Sequence, residues 1–157
     1  MDFAGKALDE VWINPVDGII TSSCGERTDP ISNKKEYHNG IDIAVESNTD
    51  VLAVRSGKVI DVGYDNLNGN YIKYETTDGY KIIHAHLNKV LAKKDYSIKQ
   101  GQVIALSGNT GKSTGPHVHY TVWRGDMLIN PMQFVDLPYT DGVIKEYSER
   151  GVALKRE

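Results

Sequence analysis

All five histidines of this chain lie close to a second residue that can bind a metal or move a proton: His38 with Asp42, His84 with His86, and His117 with His119. Imidazole changes charge near neutral pH and is the commonest metal ligand, so histidines gathered in this way point to a metal centre or to proton transfer. A solitary histidine is more often a hydrogen-bonded or surface residue, but pairing of all five is hard to explain on that basis. In a β-strand, side chains alternate between faces, so the members of each His-x-His share a face, about 6.5 to 7 Å apart along the backbone. If the strands carrying the two pairs are neighbours, four imidazoles converge on one patch. His38 and Asp42 need a different geometry, because four residues of extended strand would separate them by about 13 Å. Zinc bonds of about 2.0 to 2.2 Å do not span that distance. The intervening Asn39-Gly40 accepts turn conformations that fold Asp42 back beside His38. Ile41 and Ile43 flank Asp42, as expected for a carboxylate entering a partly buried site where a metal or another partner balances its charge.

The donor inventory narrows the role of such a metal. Three imidazoles, or two with a carboxylate, plus an open position for water, make a catalytic zinc site, whereas structural zinc usually takes four Cys or Cys/His ligands. Cys24 is the only cysteine, so the structural type cannot be built and no intrachain disulfide can form. Six candidate donors exceed the three needed, which leaves imidazoles beside the ion to take or give protons and to hold a tetrahedral oxyanion. The chemistry is that of metal-assisted hydrolysis of a neutral amide.

The elements that must position these residues are mostly strands. Val51–Val54, Gly57–Val62, Tyr71–Glu75, Tyr80–His86, Gln102–Leu106 and His117–Trp123 are strand-length and rich in Val, Ile and Tyr. Asn66–Asn70, Thr77-Asp78-Gly79 and Ser107–Gly111 offer residues that tolerate positive φ, which predicts hairpins within a folded-over antiparallel sheet. Helical periodicity is weak: one short amphipathic helix is expected over Phe3–Trp12, and a second over Val143–Leu154 after Asp141 as a cap. The chain divides into an N-terminal extension (1–12), a main domain (13–135) and a polar tail (136–157) that holds little core material and reads as an appendage.

The 157 residues carry 18 Lys plus Arg against 21 Asp plus Glu, a net charge of −3, with 39% hydrophobic residues. That is one ordinary domain, and its acidic balance without a long basic run argues against a phosphate-driven grip on nucleic acid. No stretch approaches the roughly 18 to 20 apolar residues of a membrane helix, and Met1–Ala4 lacks the build of a secretory signal, so no membrane insertion and no signal peptide are expected in this chain. Two look-alikes fall away. Gly108–Ser113 resembles a phosphate-binding loop, but Leu106 stands where that pattern needs glycine. Ile98–Ala105 is similar to the hammerhead of lipoyl and biotinyl carriers, yet Lys81 is poorly placed for modification and the histidines stay unexplained.

Three blocks then carry a resemblance: Tyr37-His38-Asn39-Gly40-Ile41-Asp42-Ile43-Ala44, Ala85-His86-Leu87, and Gly108–Tyr120, which contains Gly115-Pro116-His117-Val118-His119. Together they resemble the signature of the lysostaphin/LytM-type zinc peptidases, the M23 family, over roughly Ile13 to Phe134. The resemblance implies a mainly β fold, a folded antiparallel sheet of LytM/lysostaphin catalytic-domain type with a central groove and few short helices. It implies one zinc ion per chain held by His38, Asp42 and His119, with His86 and His117 catalytic. It further implies hydrolysis of stem or cross-bridge peptides of bacterial peptidoglycan, outside the cytoplasmic membrane, by part of an exported or anchored protein or a phage product released by lysis. The alternative is a non-catalytic zinc-containing LytM-like module that binds cell wall or a protein partner. Two departures bear on substrate preference: Cys24 stands where an aromatic is common, and His84 where relatives commonly have Tyr. Period two places His84 on the face of His86, so it is expected on the groove wall, where it contacts substrate or fills space, and not on the zinc.

Overall fold

The computed structural model describes residues 10–28 and 32–149. Its strands are β1 (Ile19–Ser22), β2 (Gly25–Thr28), β3 (Lys35–His38), β4 (Ile41–Ala44), β5 (Asp50–Leu52), β6 (Gly57–Asp65), β7 (Gly69–Glu75), β8 (Tyr80–Val90), β9 (Ser97–Ile98), β10 (Val103–Ser107), β11 (His117–Arg124) and β12 (Met127–Ile129). A 3₁₀ turn at Pro131–Phe134 and one helix, α1 (Asp141–Glu149), complete the described elements. β2 and β3 pair with each other. The other ten strands form one sheet in the order β1-β4-β11-β8-β7-β6-β9, with β10 against β5 and β8 and β12 against β11. Every ladder between these strands is antiparallel. The protein is therefore mainly β with few helices, as expected, and all six strands expected from β propensity are present within a few residues.

One face of the sheet is apolar and closed. In β4, Ile41 and Ile43 are fully buried while Asp42 and Ala44 alternate onto the other face. Val118, Tyr120 and Val122 do the same in β11, and Ile82 and Tyr74 in β8 and β7. At the turns, the chemistry is that of the residues present. Asp65 Oδ1 accepts from the amides of Leu67 (2.9 Å) and Asn68 (2.6 Å), which shapes the β6–β7 turn. Gly79, at φ +92°, closes the β7–β8 hairpin.

Several expectations change. Ser107–Gly111 does not make a hairpin: residues 108–116 form a wide loop between β10 and β11, closed at its base by the amide of His117 donating to the Gly108 carbonyl at 3.2 Å. Glu10 to Trp12 are not helical, and the rest of the helix expected over Phe3–Trp12 lies outside the described residues. The second helix begins at Asp141, with that residue in its first turn; its expected end at Leu154 lies outside the described residues. The described start of the tail is docked on the domain. Ile20 donates to Pro138 (2.9 Å) and accepts from Thr140 (3.1 Å), and Val143 is fully buried in the core.

Candidate active site

The chain crosses from the small sheet to the large one at Asn39-Gly40, between β3 and β4. This crossing, and not an extended strand, is what sets His38 beside Asp42, with Nε2 3.5 Å from Oδ1. Gly40 is needed there for space: a Cβ would fall on the carbonyl oxygen of Tyr120. β11 then supplies the third member. His119 pairs with Asp42 across the β11–β4 ladder, and its Nδ1 lies 2.9 Å from Asp42 Oδ1. One donor atom from each of His38, Asp42 and His119 falls within 4.8 Å of the others. His86 and His117 complete the cluster, with ring centroids 4.8 Å apart, and His86 is 6.1 Å from His119. His117 Nε2 also lies 3.5 Å from Asp42 Oδ1.

Backbone carbonyls and one amide fix which ring nitrogen is left to work. A carbonyl only accepts, so the nitrogen facing it carries the proton. His38 Nδ1–H donates to the Ser23 carbonyl (2.8 Å), His86 Nδ1–H to Thr110 (2.7 Å) and His117 Nδ1–H to Gly115 (2.7 Å), so Nε2 of each is turned to the cluster. His119 is wired the other way: Nε2–H donates to Asn39 Oδ1 at 2.8 Å, with the Thr121 hydroxyl 3.0 Å away, which leaves Nδ1 facing Asp42. A lone pair on Nδ1 then faces a carboxylate oxygen, and a cation between them relieves that opposition. The separations of 2.9 and 3.5 Å bracket the edge of about 3.3 Å expected for a tetrahedron with bonds of about 2.0 to 2.1 Å. The donor set fits a zinc ion. These outer partners, Ser23, Asn39, Thr110, Gly115 and Thr121, were missed by spacing arguments. Ser23, Thr110 and Gly115 act through backbone carbonyls, Thr121 through a hydroxyl two residues along the strand from His119, and Asn39 was legible only as a turn residue.

Charge in the cluster follows from burial. Burial by itself would raise the Asp42 carboxyl, but His119 and His38, which donate to it and lend it positive charge when their rings are protonated, outweigh burial and hold the group well below the usual carboxylate range. His119 is lowered chiefly by burial against the opposing pull of Asp42, and His86 chiefly by burial as well. Both are neutral imidazoles at neutral pH, the state that binds metal or accepts a proton.

His84 is the correction. It is fully buried, its Nε2 is 2.8 Å from the Tyr74 hydroxyl, and its ring lies between Tyr74 and Tyr120 at centroid distances of 5.5 and 5.2 Å. It does not line a groove. Period two fails because β8 carries an extra residue opposite β7, between the pairs Ile72↔His84 and Asn70↔Leu87. His86 sits in this bulge at φ +61°, a left-handed conformation uncommon for a side-chain-bearing residue, and is turned from the core to the site. The 108–116 loop holds it there. Besides the Thr110 carbonyl on its ring, Thr110 Oγ1 accepts from Asn70 (3.1 Å) and donates to Leu87 (2.6 Å), while the His86 amide donates to Asn68 (2.7 Å).

The chain is similar to known proteins over most of its length. Peptidoglycan DD-endopeptidase ShyB of Vibrio cholerae is 38% identical over 142 residues, covering 87% of this chain and 33% of that protein. This chain thus spans about a third of the length of that curated relative. A crystal structure of a zinc-containing peptidase from Vibrio cholerae superposes with a TM-score of 0.72 at 36% identity, covering 83% of this chain and 42% of that one. The catalytic domain of lysostaphin, the antimicrobial peptidase of Staphylococcus simulans, superposes with a TM-score of 0.67 at 31% identity, covering 74% of this chain and 91% of that one. The sequence pattern of peptidase family M23 matches residues 36–131, more than half of the chain and all of its clustered histidines and Asp42, so the chain belongs to peptidase family M23.

Proposed function

We propose that this chain is a zinc-dependent endopeptidase that hydrolyses peptide bonds in the stem or cross-bridge peptides of bacterial peptidoglycan. The observation that supports it most is the convergence of one donor each from His38, Asp42 and His119 with two further imidazoles beside them. His38, Asp42 and His119 would hold one zinc ion per chain, which when bound supplies Lewis acidity toward the scissile carbonyl and lowers the pKa of water. His86, kept neutral by burial and with Nδ1–H committed to Thr110, has its Nε2 lone pair ready to take the proton of the attacking water. His117, with Nδ1–H committed to Gly115, directs Nε2 at the same region, where an Nε2–H would hold the developing oxyanion. Work on wall peptides is done outside the cytoplasmic membrane, so the protein carrying this domain is expected to be exported or anchored, or released by phage lysis.

The test is mass analysis of fragments released from purified peptidoglycans of different cross-link types, with a chelator control. Chelator-sensitive release of peptide fragments is the expected result; silence on every wall would favour the non-catalytic binding module. His38→Ala and Asp42→Ala should strip zinc, and full occupancy in both by elemental analysis would refute the ligand set. His86→Ala should keep zinc and lose about 10² to 10⁴ in rate, the range of general acid–base help.

A further inference from the structure

The backbone of His117 is held from both sides, which leaves its ring as the part still to be placed. His117 pairs with Ala44 across the β11–β4 ladder, and on its other side its amide donates to the Gly108 carbonyl at 3.2 Å. Strand pairing fixes where the side chain starts but not the torsions that swing the imidazole. The bond from Nδ1–H to the Gly115 carbonyl, at 2.7 Å, pins one ring atom. A ring pinned by one acceptor can still tilt about that contact. Nε2, on the far side of the ring, would then sweep through the region where a substrate oxygen lies.

Ser113, half-buried in the 108–116 loop, supplies a second fixed point. Its Oγ lies 3.0 Å from the Gly115 carbonyl oxygen and 3.1 Å from His117 Nδ1. With 2.7 Å on the third side, the three atoms form a nearly equilateral triangle served by two hydrogens. The carbonyl only accepts, so Nδ1 carries its proton and the serine hydroxyl turns its own toward Gly115. The Oγ lone pairs then face Nδ1–H, which is shared between two oxygens instead of one. A ring flipped by half a turn would set a C–H against both oxygens and lose both bonds. Pro116 stiffens the link between Gly115 and His117, because its ring holds φ at about −65°. Among the described residues, Ser113 Oγ has no hydrogen-bond partner besides these two, so it acts on the ring of His117 and on none of His38, Asp42 and His119.

We propose that Ser113 is a positioning residue for the hydrolysis: its hydroxyl fixes the plane of the His117 ring and so holds Nε2 at the substrate oxygen. The proposal rests on the peptidase reading above and adds a residue to it. Catalytic groups need placement within about 0.5 Å, and a displacement of about 1 Å can cost about 10²-fold in rate. The test uses the zinc-loaded chain, cross-linked wall peptides and two variants. Ser113→Ala should lower kcat about 10- to 100-fold with KM and zinc content unchanged, and Ser113→Thr, which keeps the hydroxyl, should recover most of that loss. A second readout follows the ring itself. The Nδ1–H of His117, assigned in proton–nitrogen spectra through His117→Asn, should exchange with solvent about tenfold faster in Ser113→Ala and not in Ser113→Thr, while the ring signals of His38, His86 and His119 stay in place. Unchanged kcat in Ser113→Ala, an effect confined to KM, a loss of zinc that accompanies the loss of rate, a rate that Ser113→Thr does not recover, or an unaltered His117 signal would each overturn the positioning role. If the unaltered chain cuts no peptide, the peptidase reading fails by itself, and the role is judged by the ring signal alone. Faster exchange in Ser113→Ala with recovery in Ser113→Thr then supports it, and equal exchange in all three chains overturns it.

Discussion

At the scale of single residues, the centre works because each imidazole has one nitrogen spent. His119 is the only ring in the cluster whose committed proton goes to a side chain, Asn39, and not to the backbone. That makes its orientation accessible to mutation. Asn39→Ala removes the acceptor of Nε2–H and frees the ring to turn or change tautomer, and loss of such outer partners typically weakens metal binding 10- to 100-fold. Competition with a chromophoric chelator should show a loss of that size with the fold intact; unchanged affinity would mean that Thr121 Oγ1, 3.0 Å away, suffices. Type and spacing made six candidate donors legible, His84 among them, and only the family resemblance singled out the other five. Their protonation wiring was legible from neither, because the Ser23, Thr110 and Gly115 carbonyls belong to every residue type and leave no mark in sequence.

At the scale of elements, strands announced themselves by alternation and turns by Gly, Asn and Asp, but the bulge in β8 did not. A bulge is a property of a pair of strands: it exists because the three residues Asn70–Ile72 of β7 lie opposite the four residues His84–Leu87 of β8. No pattern within Tyr80–Val90 alone records it, and so His84 and His86 were read as sharing a face. Two predictions follow from the bulge. Because His84 points inward between Tyr74 and Tyr120, His84→Tyr forces a larger ring into a closed core, and overpacking of this kind costs about 1 to 3 kcal/mol. Urea unfolding should show it, whereas an effect confined to KM would return His84 to the groove wall. The second concerns the loop that holds the bulge. Gly111 lies at φ +73° with a Cβ position that would collide with the Gly69 backbone, so Gly111→Ala must part the 108–116 loop from the β6–β7 turn. Since Thr110 travels with Gly111, His86 should lose its orientation while His38, Asp42 and His119 keep theirs. The expected variant binds zinc but has lost most of its rate; one that lost metal first would show that the loop supports the ligands instead.

At the scale of the whole molecule, both ends of the described chain are drawn onto the domain. Glu10 reaches the buried Arg55 at 3.1 Å, Trp12 stacks on Phe134 at 3.8 Å, and the tail adds Val143 to the core. This packing places ionisable groups where water cannot follow, and their protons then report on folding as a whole. His84 is pushed down to about 3, by burial first and by the charge of His119 second, against about 6.5 in an unfolded chain. A depressed histidine binds more protons unfolded than folded between those two values, so its contribution is complete above about pH 6.5 and is lost as pH falls toward 3. His119 and Asp42 are depressed too, His119 acting in the same direction from about 6.5 and Asp42 from about 3.9 downward. Stability should therefore fall monotonically in acid, with no compensating group among these three. At about 1.36 kcal/mol per unit, His84 alone contributes a loss of about 2 kcal/mol between pH 6.5 and 5. Urea midpoints measured in chelator, so that metal release does not contribute, should show this slope in the unaltered chain. In His84→Gln the slope over that interval should be smaller by about one proton. An identical slope in both would mean that His84 is protonated in the folded core and that the Tyr74–His84 contact carries a charge.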